Sequence, residues 1–101
     1  GFHSFSAFKR AMGNAAEGNQ WHHIVGQHAD NVHKFGAESI HNTNNLVEIP
    51  KELHYKINGY YNSKPLELGG LTERDWLKTQ SFEAQYEYGL EIVQKALNGT
   101  L

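Results

Sequence analysis

Between Trp21 and Asn58 the chain lays out one order of local structures, with histidine at nearly every step. Trp21-His22-His23-Ile24-Val25 is aromatic and β-branched enough to predict a strand. Asn42-Thr43-Asn44-Asn45 is turn chemistry, because asparagine tolerates left-handed backbone and bonds its own main chain locally. Leu46 to Ile49 predicts a second strand. Pro50 suits the first turn of a helix, one that carries Leu53, His54, Ile57 and Asn58. Strand, loop, strand, helix is therefore the frame that carries His22, His23, His41 and His54.

The flanks follow from periodicity and punctuation. Phe5, Phe8 and Met12 fall at i, i+3 and i+7 and predict a short amphipathic helix over residues 4–12. Gly13 and Gly18 bracket a loop. Ala29 to Phe35 predicts a helical turn or two, stopped at Gly36. Asn58-Gly59 is a normal helix exit, so residues 59–70 are expected to be an irregular connector. Thr72-Glu73-Arg74-Asp75 resembles a capping box with Asp in place of Glu. The helix after it should run through Trp76 and Leu77, with a break near Ser81. Phe82, Tyr86, Leu90, Val93 and Leu97 then form one apolar stripe, expected to pack in the core.

Composition narrows the chemistry. The 101 residues suit one domain, 1–101. The formal net charge is −2 with neutral histidines, so the broad basic surface that holds duplex DNA by its phosphates is missing. Contact with phosphate must be local, through a metal ion or a few of the nine Lys and Arg residues. No cysteine is present, which excludes disulfides, thiolate metal sites and a cysteine nucleophile. No apolar run approaches transmembrane length and no signal peptide is visible, so stable membrane association of this domain is not expected.

Phosphodiester cleavage needs a base, a cation to offset charge on the phosphate, and reacting atoms held in line. Histidine is the side chain that both ligates metals and exchanges protons near neutral pH. His22 and His23 face opposite ways on a regular strand, which permits one to hold a metal while the other approaches water or a ribose hydroxyl. His54 and Asn58, at i and i+4, share a helical face. Imidazole and amide oxygen suit Mg²⁺, Mn²⁺, Zn²⁺ or Ni²⁺ without a strong choice among them. Asn45, before the second strand, is placed to pin the loop that carries the histidines.

These residues resemble the HNH/endonuclease VII superfamily, whose metal site is a ββα hairpin-plus-helix. More narrowly, Trp21 to Val25 together with Ile40-His41-Asn42-Thr43-Asn44-Asn45 is similar to the tandem-histidine (WHH-type) toxin domains. Those domains end bacterial polymorphic toxins, including LXG-type and contact-dependent inhibition proteins. The similarity extends through Gly59-Tyr60-Tyr61-Asn62-Ser63-Lys64, Trp76-Leu77, Gln80-Ser81-Phe82-Glu83 and Gln85-Tyr86, and so covers most of the chain from Gly18 onward. It implies an α+β fold with a small ββα-metal (His-Me finger) core and flanking N- and C-terminal helices. It also implies roles: His22 as first metal ligand, His23 as general base, Asn45 as the brace of the loop, and His54 as the ligand that opens the helix. Asn58 stands where many members carry a second helical histidine, and an amide is the weaker ligand.

The resemblance further implies an endonuclease toxin, the C-terminal piece of a longer secreted or cell-surface polypeptide. Such a toxin acts on nucleic acid in the target-cell cytoplasm and is matched by a cognate immunity protein. RNA is slightly favoured over DNA, since the low net charge argues against non-specific duplex binding. Two alternatives stay open. One is a metal-independent ribonuclease that uses His23 with His41 or His54 as an acid–base pair. The other is a non-catalytic module with a structural metal site. His41 itself either faces the cleft or caps the loop. Trp21 is expected as a core anchor and His28 and His33 as solvated; Gln27 is a polar cleft candidate. Lys56, Lys64 and Tyr61 are candidates for phosphate contact, although a solvated lysine is the ordinary case.

Overall fold

Ser4 opens the first helix: its Oγ accepts from the Ala7 N–H at 3.0 Å and satisfies one of the donors a helix start leaves over. The computed structural model describes residues 1–101. Six helices and one two-stranded antiparallel sheet make the fold α+β. Two compact units divide the chain, residues 1–51 and 52–101. No helix is long and apolar enough to cross a membrane.

In the first unit, α1 (Phe5–Met12) leads into β1 (Asn19–His23), which pairs antiparallel with β2 (Leu46–Pro50) in the register Asn19↔Pro50 to His23↔Leu46. The strand starts two residues earlier than predicted and its ladder stops at His23. Beyond it, the Ile24 N–H still reaches the Asn45 carbonyl, but the Val25 N–H goes to the Asn45 side chain. A side chain thus takes over where the ladder ends. Between the strands lie α2 (Ala29–Phe35), α3 (Ala37–Ile40) and a 3-10 turn at Thr43–Asn45. The sequence pattern missed α3, a single turn with too few residues for periodicity. Gly36 joins the two helices at φ 89°, a left-handed backbone open to glycine.

Phe8, Ile24, Val25, Ile40, Leu46 and Ile49 are buried in this unit. Met12, expected on the buried face of α1, is 51% exposed. It is the last residue of the helix, just before the chain turns away at Gly13, and the buried face is carried by Ala7 and Phe8 instead. Trp21 is half-buried; its indole N–H donates to the Gly13 carbonyl and its ring meets the edge of Phe8. Glu48 secures the 13–18 loop, accepting from Asn19 Nδ2 at 2.8 Å and the Ala16 N–H at 3.1 Å. These bonds hold its carboxyl below the usual range.

The second unit is helical. Helix α4 (Lys51–Tyr61) runs through Asn58-Gly59 rather than ending there, a correction to the expected exit. Glycine in a helix interior costs about 1 kcal/mol relative to alanine. Burial of Ile57 and Tyr61, one turn apart, and a 2.6 Å bond between the Tyr60 and Tyr88 hydroxyls outweigh it. A 3-10 turn at Leu66–Leu68 breaks the expected connector. Helix α5 (Glu73–Leu77) starts at Thr72, whose Oγ1 accepts from the Asp75 N–H, and α6 (Phe82–Leu97) starts at Ser81, whose Oγ accepts from the Ala84 N–H.

The stripe read along α6 meets the buried face only at Val93. Leu90 is 44% exposed and Leu97 53%, while Gln85, Gly89, Ile92, Val93 and Ala96 are buried. At 100° per residue the true core face lies roughly 75° around the helix from the predicted stripe. Gln85 and Gly89 hide that face because neither counts as apolar. Gln85 is admitted because its Nε2 donates to the Gln80 carbonyl.

Candidate functional site: a buried imidazole pair

Alternation along β1 sends Trp21 and His23 to one face and His22 to the other. Helix α1 covers the first face, with Phe8 against Trp21 and Phe5 against His23. His22 and His23 are both buried, at 4% and 7% exposure. The opposed orientation expected of the tandem pair is therefore kept, while solvent is removed from both.

His23 Nε2 lies 3.2 Å from His41 Nδ1. The rings meet edge to face with centroids 5.3 Å apart. One N–H lies in that contact, and either ring can carry it. His41 caps the end of α3: its N–H donates to the Ala37 carbonyl and its own carbonyl accepts from the Phe2 N–H. Burial lowers the His41 pKa. A neutral His41 that accepts at Nδ1 fixes His23 with hydrogen on Nε2 and its lone pair on Nδ1.

Asn45 locks the two segments that carry these rings. Its Oδ1 accepts from the Val25 N–H at 2.8 Å; its Nδ2 donates to the Val25 carbonyl at 3.0 Å and the Ile40 carbonyl at 2.9 Å. Val25 is two residues past His23, and Ile40 immediately precedes His41. One buried amide thus cross-links the end of β1 to the end of α3. The Asn42 side chain, accepting from the Asn44 N–H, shapes the turn that presents it.

His23, His41 and Asn45 accordingly form one constellation in the first unit, with His22 on the far face of the same strand. His54 and Asn58 lie in the second unit, half-buried one turn apart on α4. Burial lowers the His54 pKa, which favours the neutral imidazole a metal would need. Neither unit gathers three or more His, Asp or Glu side chains in a metal-holding group.

Several candidates change standing. Tyr61 is not available to phosphate: it is 6% exposed, its hydroxyl is buried, and Arg74 lies over its ring. Burial pushes that hydroxyl's pKa well up. Lys56, Lys64 and Gln27 are exposed. His33 is exposed, whereas His28 is half-buried and caps α2, its Nδ1 accepting from the Asn31 N–H. The contact of Phe5 with the imidazoles was missed, since Phe5 read only as one position of an amphipathic pattern. Also missed was a chain in the second unit in which Tyr60 meets Tyr88 and Tyr88 donates to Glu73.

The buried His41 has a pH signature. Its folded-state pKa lies below the unfolded value of about 6.5, so the unfolded chain binds more protons on the acid side. Stability is expected to be flat above pH 6.5 and to fall as pH drops through the folded pKa. Urea midpoints at pH 7.5 and 5.5 read this, and His41→Gln should shrink the difference. An unchanged difference would remove His41 as the source.

Comparison with family models, with curated proteins and with solved structures finds no match for this chain.

Proposed function

We propose that this protein is an endonuclease domain of the toxin type, cleaving phosphodiester bonds of nucleic acid with RNA favoured over DNA. The observation that carries the reading is the His23–His41 pair, locked by Asn45 in the loop where the sequence resemblance places a base and its brace. His23 is the general base. His41, neutral and hydrogen-bonded to it, sets its tautomer and stabilises the imidazolium that forms when it takes a proton. Asn45 keeps both segments in place while that proton moves.

The chain order β1, β2, α4 is the order of a ββα-metal core. The resemblance implies one divalent ion (Mg, Mn, Zn or Ni), for which His54 and Asn58, one turn apart on α4, are the donors within the second unit. When bound, such an ion offsets charge building on the scissile phosphate. The domain would travel as part of a larger secreted or cell-surface toxin and act in the target-cell cytoplasm, with a cognate immunity protein protecting the producer.

The metal-independent alternative needs an acid and a base on either side of the phosphate. Two imidazoles 3.2 Å apart leave no room for a phosphate between them. His41 therefore suits an orienting role better than that of a separate acid.

Purified chain incubated with total RNA and with supercoiled plasmid, in divalent ion and in excess chelator, tests the reading. RNA loss with plasmid intact, abolished by chelator while the melting temperature changes little, is the expected result. Cleavage that persists in chelator would select the metal-independent mechanism. Collapse of the fold in chelator, without cleavage in either condition, would select a structural metal module.

A further inference from the structure

We propose that Phe5 on α1 is a positioning residue for the imidazole pair, its face stacked on His41 and its ring in edge contact with His23. The role extends the site to a helix that lies before the segment carrying the resemblance, and it rests on the reading of His23 as the base. Phe5 and His41 are nearly parallel, 10° apart in plane with centroids at 6.2 Å. Phe5 and His23 meet at 73° with centroids at 4.8 Å. One ring thus bears on both members of a pair that is itself in contact at 3.2 Å.

Phe5 joins the core to the imidazoles, its ring 6.2 Å from that of Phe8 between centroids. The apolar anchor of α1 is Phe8, which is fully buried and touches Phe2 and Trp21 edge-on. Phe5 is half-buried, and both imidazoles of the site lie against it. Its own placement is over-determined. Ser4 fixes the start of the helix one residue before it, and the Lys9 ammonium sits 4.5 Å over its ring. The Phe2 N–H, three residues earlier, donates to the His41 carbonyl at 2.8 Å. Backbone and side chain of the same short segment therefore hold His41 at two points.

An imidazole pair with one shared proton works as a base only if the ring planes stay fixed, since rotation about the Cβ–Cγ bond breaks the contact. Phe5 supplies the wall that opposes such rotation. Its removal should alter turnover more than substrate affinity.

The test uses the full chain with ¹⁵N-labelled histidine. In the unaltered protein, nuclear Overhauser contacts should join the Phe5 ring to both imidazoles, and long-range ¹H–¹⁵N spectra should show a single tautomer for His23 and for His41. Phe5→Leu keeps a good helix former, so far-UV circular dichroism should be unchanged. The single-tautomer pattern should nevertheless be lost, and kcat on RNA should fall on the order of tenfold or more with KM nearly constant. Phe5→Tyr restores the ring and should restore both. Phe5→Leu with the original tautomers and original kcat would overturn the proposal. So would the absence of Phe5–imidazole contacts in the unaltered protein, a measurement that stands even where Phe5→Leu fails to fold. If no RNA is cleaved at all, the nuclease reading falls, and the tautomer and contact data still decide the positioning role.

Discussion

His23→Ala is expected to lower the rate of RNA cleavage on the order of a hundredfold to ten-thousandfold, the range a positioned general base contributes. The substitution also leaves His41 Nδ1 facing a small void in a buried place, which costs about 1–3 kcal/mol. Loss of activity by itself would then be ambiguous. His23→Gln resolves it, because the amide can still bond His41 but cannot act as a base near neutral pH. Gln should lose activity as severely as Ala while unfolding at a higher temperature. Continuous kinetics on a fluorogenic RNA, with melting curves for each variant, read both quantities. More than about a tenth of the original rate in His23→Gln would remove the base assignment.

Much of the frame could be read before any coordinates, because its signals are local. Thr72 reads as a cap, and the sequence predicts a break near Ser81; the hydroxyls of Ser4, Thr72 and Ser81 all bond the backbone three residues on, a signal spelled within four residues of sequence. Gly36 ends α2 for an equally local reason. The failures share the opposite character. Asn58-Gly59 has the chemistry of a helix exit, yet Ile57 and Tyr61 gain enough from burial to carry α4 past it. The buried face of α6 includes Gln85, whose solution to burial is a bond to the Gln80 carbonyl that no hydropathy pattern encodes. The site divides the same way. Asn45 was legible as a candidate to pin its loop from its place before the second strand and from the resemblance, but not the three main-chain groups it bonds. The contact of His23 with His41, 18 residues apart, and that of Phe5 with both depend on how α1, α3 and β1 come together.

Asn45→Ala should be among the most destabilising single changes in the first unit. The side chain makes three buried hydrogen bonds, and its loss leaves the Val25 N–H, the Val25 carbonyl and the Ile40 carbonyl without it. A buried group left unsatisfied costs about 1–3 kcal/mol, and these three sit close enough to share any water that enters. A total of about 3 kcal/mol or more is therefore expected, which for a chain of this size lowers the melting temperature by roughly 12 °C or more. Asn45→Asp separates the parts of the bond set. Its carboxylate can still accept from Val25, but it faces two carbonyl oxygens where Nδ2 donated. Asp should thus be no better than Ala near neutral pH and should recover part of the loss in acid, where a protonated carboxyl donates again. A melting temperature for Asn45→Ala within about 3 °C of the parent would mean that the amide does not bind β1 to α3. The arrangement that keeps His41 against His23 would then need another source.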